Sequence, residues 1–197
     1  MKQIILASGS PRRFELLTLA GLSLEVIIPE IEETKKRGET PKKMVSRLAL
    51  EKAMTIAMDN AGKIVIAADT IVVTPDGKKF LGKPRDKIEA KKMLKSLFGK
   101  THLVYTGYAI LEWNGKKLNK SIRVVGTKVK MASLGQDAIN WYLSKNESMD
   151  KAGSYAAQGI GANFIESISG SYTNVVGLPM AEILSDLKEN HGVSIWI

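Results

Sequence analysis

Two groups of residues in this chain have types and spacing suited to phosphate chemistry. The first is Ala7-Ser8-Gly9-Ser10-Pro11-Arg12-Arg13, which sets two hydroxyls, a glycine and two guanidinium groups between an apolar strand pattern and an amphipathic helix pattern. Ser10 falls at a helix N-cap and Pro11 at the first helical position, where a missing N–H costs nothing. The free amides of that turn and the positive end of the helix dipole favour an anion, and Arg12 and Arg13 add planar donors that match phosphate oxygens. The same pattern also describes an ordinary Ser-Pro helix start with two solvated arginines. The second group centres on Asp69, inside the run Ile64-Val65-Ile66-Ala67-Ala68-Asp69-Thr70-Ile71-Val72-Val73. A carboxylate in an apolar strand costs several kcal/mol unless a cation, a metal or hydrogen bonds compensate it. Asp69 therefore has a partner or a job: it either caps a neighbouring turn, or it holds a divalent ion and orients or deprotonates a water.

Further residues join these two by chemistry rather than by sequence distance. Lys52 lies on a helix pattern from Pro41 to about Asn60, four residues from both Leu48 and Ile56, so it either snorkels to water or serves a site. Glu33 follows Glu32 in a charged loop and is a metal-ligand or water-orienting candidate if that loop folds over the cradle. Lys83, in Leu81-Gly82-Lys83-Pro84-Arg85, has a backbone that Gly and Pro can fix. Gln158, between Ala157 and Gly159, offers an amide that pairs well with the edge of a nucleobase.

The elements that must position them alternate. Ile4 to Leu6 reads as a buried strand, and Phe14, Leu16, Leu17 and Leu19-Ala20 mark a helix. Leu24 to Ile28 reads as a second strand, and Lys63 to Thr74 as the strongest one. Residues 86–98 follow as a helix with Ile88, Ala90, Met93, Leu94 and Leu97 as its apolar positions. His102–Trp113 and Leu118–Met131 flank an Asn114-Gly115 hairpin turn. Gln136–Ser144 is helical, Asp150–Pro179 reads as strands and tight loops, and a helix at Pro179–Asn190 and a strand at Val193–Ile197 close the chain. Trp141 and Trp196 are expected in the core. Helices alternating with strands, plus one long hairpin, indicate an α/β domain with a mixed sheet.

Composition narrows the function classes. The 197 residues are 44% hydrophobic and 25% charged, enough for one domain with a sizeable core. No run approaches about 18 uninterrupted apolar residues, and no leader pattern is present, so a soluble, unprocessed, cytoplasmic protein is expected. Zero cysteines excludes disulfides, thiolate metal sites and a Cys nucleophile, and with His102 and His191 as the only histidines a three-histidine metal site is excluded. The net charge of +9 attracts polyanions, but the lysines are scattered and form no stripe with interleaved aromatics, so a stable nucleic-acid complex is not expected.

Taken together, the blocks LASGSPRR (Leu6–Arg13), Arg47-Leu48-Ala49 with Lys52-Ala53, ADTIV (Ala68–Val72), GKPRD (Gly82–Asp86), DKAGSYAAQG (Asp150–Gly159) and GSYTNVVGLP (Gly170–Pro179) resemble the Maf family of nucleoside triphosphate pyrophosphatases, over almost the whole chain. The resemblance implies hydrolysis between the α- and β-phosphates, with a divalent metal such as Mg2+, Mn2+ or Co2+. It makes Asp69 the proton acceptor and, with Glu33, the metal ligand. Ser8, Ser10, Arg12, Arg13, Lys52 and Lys83 become phosphate and charge-stabilising groups. Arg12, Thr70 and Gln158 match the branch acting on dTTP and UTP rather than the branch acting on 7-methyl-GTP. Ala156-Ala157 replaces a more usual Gly-Ile pair beside Gln158. The implied fold is similar to that of the inosine triphosphate pyrophosphatases, an elongated single domain over residues 1–197 with a mixed sheet and flanking helices around a central cleft. The rival readings are a nucleic-acid-binding module and a nucleotide-binding regulator without turnover, and a homodimer is left open.

Overall fold

The apolar runs become the centre of a mixed sheet in a computed structural model that describes residues 2–195. Ile4–Leu6 (β1) pairs in parallel with Leu24–Val26 (β2) on one side and with Ile64–Val73 (β3) on the other. Phe80–Leu81 (β4) runs antiparallel to the end of β3. Thr101–Trp113 (β5) and Leu118–Met131 (β6) form the long hairpin, whose turn is tied by the Lys116 and Lys117 amides donating to Asn114 Oδ1. Ile165–Ser169 (β7) is antiparallel to β6, which gives a seven-stranded sheet of order β2-β1-β3-β5-β6-β7 with β4 beside β3. The mixed α/β expectation is met.

Helix ends follow local chemistry. Pro11–Leu19 (α1) begins with Pro in its first turn after Ser10. Pro41–Ala57 (α2) is capped by Thr40, whose side-chain oxygen accepts from the Lys43 amide at 3.3 Å, and Lys87–Leu97 (α3) by Asp86, which accepts from the Glu89 amide at 2.7 Å. Gln136–Ser144 (α4), the short Tyr172–Val176 (α5) and Met180–His191 (α6) complete the set, with two 3-10 turns at Ala152–Ser154 and Gly159–Phe164. None of the helices among the described residues is long and apolar enough to cross a membrane.

The chain divides into two compact units, and β3, β5 and β6 contribute residues to both. The first holds the described residues up to Asp69, Thr106–Val125 and those from Gly177 onward. Strand alternation splits its core in two. Val65 and Ala67 of β3, with Ile5, Ala7, Ala109 and Leu111, meet Ala49, Ala53 and Ala57 of α2. Ile64, Ile66 and Ala68, with Ile4, Leu6, Tyr108 and Ile110, meet Leu17 of α1 and Met180, Ile183 and Leu187 of α6. Gly107 on β5 allows the first of these packings, because a Cβ there would lie 2.5 Å from the carbonyl carbon and oxygen of Val45. The second unit, Thr70–Tyr105 and Gly126–Val176, packs Val72, Met93, Leu94 and Leu97 with Val129, Met131, Tyr142, Tyr155 and Phe164.

Several expectations are corrected. Val193–Ile195 is not a strand: Gly192 takes a left-handed φ of 67°, the Val193 amide bonds the Leu187 carbonyl at 2.9 Å, and Val193 and Ile195 fold back onto the core under α6. Trp196 and Ile197 lie outside the described residues. The stretch 150–179 is built mainly of 3-10 turns and the helix α5, with one strand, because closely spaced glycines break the chain into short turns. Trp141 is 49% exposed, since its neighbour Tyr142 takes the inward position on α4. It packs edge-on to Phe164 and carries Lys145 over its face. Phe14, Leu19 and Ile88 are exposed as well. Ile88 sits two residues before Ala90, which places it on the opposite face of α3 from Ala90, Met93, Leu94 and Leu97.

His102 is buried in the second unit, its Nε2 2.8 Å from the Tyr155 hydroxyl and its Nδ1 without a hydrogen-bond partner among the described residues. Burial drives its pKa down to about 4. Between the ordinary value near 6.5 and about 4, the unfolded chain binds a proton that the folded chain refuses, so stability falls as pH drops through that window, by roughly 3 kcal/mol in all. Urea midpoints measured across it should decline in the natural protein and much less in His102→Gln. Equal slopes would show that His102 is not the titrating group. Gly107→Ala should lower the urea midpoint at pH 7, by roughly 1–3 kcal/mol of overpacking, and an unshifted midpoint would show that α2 does not rest on that glycine.

Candidate active site

The first unit brings Ser8, Arg13, Glu33, Lys52 and Asp69 together. Asp69 continues the odd-numbered series of β3, so its side chain falls on the face that α2 covers. On α2, Lys52 stands beside Ala49 and Ala53, and the small size of those two lets the helix approach closely. The consequence is a buried ion pair: Lys52 Nζ lies 2.8 Å from Asp69 Oδ1 and 2.7 Å from Glu33 Oε1, with the lysine residue 6% exposed. Of the two readings open for Lys52, snorkelling is excluded.

The stretch after β1 is locked by one side chain. Arg13 Nη1 donates to the Ser8 hydroxyl at 3.1 Å and to the Ala68 carbonyl at 2.8 Å, and its Nε donates to the Gly177 carbonyl at 3.0 Å. The Ser8 hydroxyl also accepts from the Ser10 amide at 3.2 Å. Ser10 occupies the N-cap backbone position, but its side chain makes no cap bond. The side chain that bonds this turn is that of Ser8, which accepts from the Ser10 amide itself, so Ser8 rather than Ser10 shapes the turn. Arg12 is half-buried on the first turn of α1.

Electrostatics follow the geometry. Burial raises the Asp69 carboxyl above its ordinary value, while Lys52 and then Arg13 pull it back. Burial lowers Arg13, opposed by Asp69 and Glu33, and a guanidinium with so high an intrinsic pKa stays charged. Lys52 holds one Asp69 oxygen, and Oδ2 has no hydrogen-bond partner among the described residues.

Glu33 sits on an otherwise exposed loop, and a clasp that the sequence reading missed secures it. Arg47 donates from Nε and Nη2 to the two carboxylate oxygens of Glu39 at 2.7 and 2.9 Å, from Nη1 to Glu51 at 2.9 Å, and from Nη2 to the Thr34 carbonyl at 2.9 Å. The Arg47 hydrogen bonds are the main cause that holds the Glu39 carboxyl down to about 2. Thr34 follows Glu33 directly, so α2 carries both Lys52 and the residue that pins the Glu33 loop. The signal was partly present in the sequence: Arg47 and Glu51 are spaced i, i+4 on one helix.

For a metal, the donor set is the two carboxylates that flank Lys52 Nζ, each with a second oxygen that does not contact that ammonium. No group of three or more His, Cys, Asp or Glu is present among the described residues. Asp69 and Glu33 therefore fit a hard divalent ion whose remaining ligands are phosphate oxygens and water, rather than an ion caged by protein alone. Thr70, Lys83 and Gln158 belong to the second unit. Thr70 follows Asp69 on β3 and projects from the opposite face of the strand. Lys83 is exposed in the turn after β4, with no ion-pair partner among the described residues. Gln158 is half-buried, and its amide has no hydrogen-bond partner among them either.

Comparison with known proteins agrees with this chemistry. The family model described as Maf-like protein matches residues 3–190. A dTTP/UTP pyrophosphatase from Syntrophus aciditrophicus (strain SB) is 46% identical over 188 residues, covering 95% of this chain and 90% of the relative. A dTTP/UTP pyrophosphatase from Bacillus anthracis is 47% identical over 189 residues, covering 96% of both chains. A solved HAM1 protein from Coxiella burnetii overlays with a TM-score of 0.48 at 15% identity, across 99% of this chain and 95% of that one. With a family match over nearly its full length and relatives at almost half identity, the chain belongs to the Maf family.

Proposed function

We propose that this chain is a nucleoside triphosphate pyrophosphatase that hydrolyses dTTP and UTP, and related modified pyrimidine triphosphates, to the monophosphate and pyrophosphate. The observation that carries this reading is the buried Lys52 held between Asp69 and Glu33, on the same unit as the Ser8–Arg13 lock. The names of relatives at 46% and 47% identity support the choice of substrate. A cysteine-free chain suits a reducing compartment, and we place the activity in the cytoplasm as clearance of unwanted nucleotides.

In the proposed reaction, Asp69 Oδ2 accepts a proton from a water as the water oxygen forms a bond to the α-phosphorus. The bridging P–O bond breaks, and its electrons leave with pyrophosphate. Burial, which raises the Asp69 carboxyl, makes it a stronger base. Lys52 keeps that carboxylate oriented, and Arg13 adds positive charge beside it. The divalent cation would be held by Asp69 and Glu33 and would neutralise charge developing on the phosphates. Lys83 is assigned a further ammonium role toward phosphate in this reading, and Thr70 and Gln158 roles toward the base. Little covalent work is required of the protein in such a transfer, because positioning and electrostatics supply most of the acceleration.

A screen with Mg2+, Mn2+ or Co2+ against canonical and modified triphosphates, scored by pyrophosphate release, should show dTTP and UTP ahead of the rest. Preference for 7-methyl-GTP, or tight nucleic-acid binding at physiological salt without turnover, would refute it. Asp69→Asn should reduce kcat by roughly 10²–10⁴-fold with an unchanged circular dichroism spectrum, and an active variant would show that the base lies elsewhere. Arg47→Lys should reduce kcat/KM about tenfold, since an ammonium cannot replace a fork that grips Glu39, Glu51 and the Thr34 carbonyl at once. Combined with Glu33→Gln it should add little further loss. Full additivity of the two would mean that Arg47 does not act through Glu33.

A further inference from the structure

Gln158 sits in a stretch without strand pairing, yet the backbone on both sides of it is fixed by one pair of side chains. Glu147 follows α4, where Asn146 takes a positive φ of 56° that turns the chain back on itself. Its Oε1 accepts from the Ile160 amide at 3.0 Å, and its Oε2 accepts from the Gly161 amide at 2.9 Å and from the Tyr142 hydroxyl at 2.8 Å. The Tyr142 oxygen in turn accepts from the Ala156 amide at 3.2 Å. The chain is thus held two residues before Gln158 and two and three residues after it. A fourth tie comes from the Tyr172 hydroxyl, which donates to the Ala157 carbonyl at 3.2 Å.

The loop has been shaped to this carboxylate. Gly159 has a left-handed φ of 69°, and a Cβ there would overlap the Glu147 carboxylate. A Cβ on Gly161 would lie 2.5 Å from the Ala156 carbonyl oxygen and 2.9 Å from the Tyr142 hydroxyl. Such close approach leaves the backbone one conformation. Lys151 adds support from behind, donating to the Glu147 carbonyl at 2.7 Å. Within this frame the half-buried Gln158 amide has no hydrogen-bond partner among the described residues, so the fold does not use it.

We propose that Glu147, acting with Tyr142, is the positioning residue that sets base discrimination, by fixing the angle at which Gln158 meets the base. The inference rests on the pyrimidine triphosphatase reading above. An amide offers one donor edge and one acceptor edge, so it separates uracil from cytosine only if it meets the base from one side and cannot turn over, and a fixed backbone restricts the directions from which the side chain can reach. A loop that rocks would still bind a base but would lose the distinction.

The test compares kcat and KM for UTP and CTP in the unsubstituted 197-residue chain and in Tyr142→Phe, Glu147→Gln, Gln158→Ala and Glu147→Gln/Gln158→Ala, with melting temperatures measured in parallel. Glu147→Gln and Tyr142→Phe should raise KM for UTP about tenfold with kcat within threefold. They should bring the UTP-to-CTP ratio of kcat/KM down toward that of Gln158→Ala, and the double variant should be no worse than Gln158→Ala. Tyr142→Phe removes a single oxygen and keeps the ring, so it answers the question if Glu147→Gln folds poorly. If Gln158→Ala lowers the ratio but neither Tyr142→Phe nor a folded Glu147→Gln does, the positioning role is overturned while the pyrimidine reading stands. Loss of kcat for both substrates alike would also overturn it, by marking a merely structural part. If Gln158→Ala leaves the ratio unchanged, or the natural protein does not turn over UTP, the base reading falls and this inference falls with it.

Discussion

A buried ammonium needs anions within reach, and this constraint on Lys52 organises the first unit. Removing a lysine from water costs several kcal/mol unless its charge is compensated, and two carboxylates, one from the centre of the sheet and one from a loop, do so here. The same arrangement explains how an acid is tolerated in a strand that is otherwise Ile, Val and Ala. It also requires α2 to sit close to the sheet. Ala49 and Ala53 on the helix and Gly107 on β5 provide that approach, so residues with no chemistry of their own determine where the charged ones meet.

The candidate site lies where parallel strands end. Ser8 follows β1, and Asp69 lies on β3 three residues beyond Ile66, whose carbonyl accepts from the Ala7 amide at 2.8 Å. In open α/β sheets the carboxyl ends of parallel strands are where ligands bind, because backbone groups and helix starts there are free to face outward. Arg13 uses this position. It reads the Ala68 and Gly177 carbonyls and the Ser8 hydroxyl together, tying the first strand, the third strand and the entry to the last helix into one frame.

The two units solve different problems. In the first, a few fixed charges are held against the sheet, and the long loop that carries Glu33 is pinned by the Arg47 clasp. In the second, glycine-rich turns replace strands. Side chains rather than ladders satisfy the backbone there: the Glu147 carboxylate serves two amides, and Asn174 donates to the Val104 carbonyl and to Thr127.

Much was legible in the residues themselves. Apolar period and turn chemistry placed β1, α2, β3 and the β5–β6 hairpin, and the blocks around Ser8, Asp69, Lys83 and Gln158 pointed to nucleotide chemistry. The alternation of β3 marked Asp69 as an anomaly, since a local pattern records an acid where an apolar residue belongs. The sequence alone could not settle whether Lys52 faces water or protein, that Ser8 rather than Ser10 shapes the turn, that Trp141 is exposed, or that Arg47 and Glu147 hold loops. Each of these depends on atoms distant in the chain, and a burial state or a hydrogen bond to a remote carbonyl leaves no periodic trace. Residue types determined which charges and hydroxyls were available, and tertiary packing decided which of them meet, because only the folded chain brings separate segments within hydrogen-bond distance.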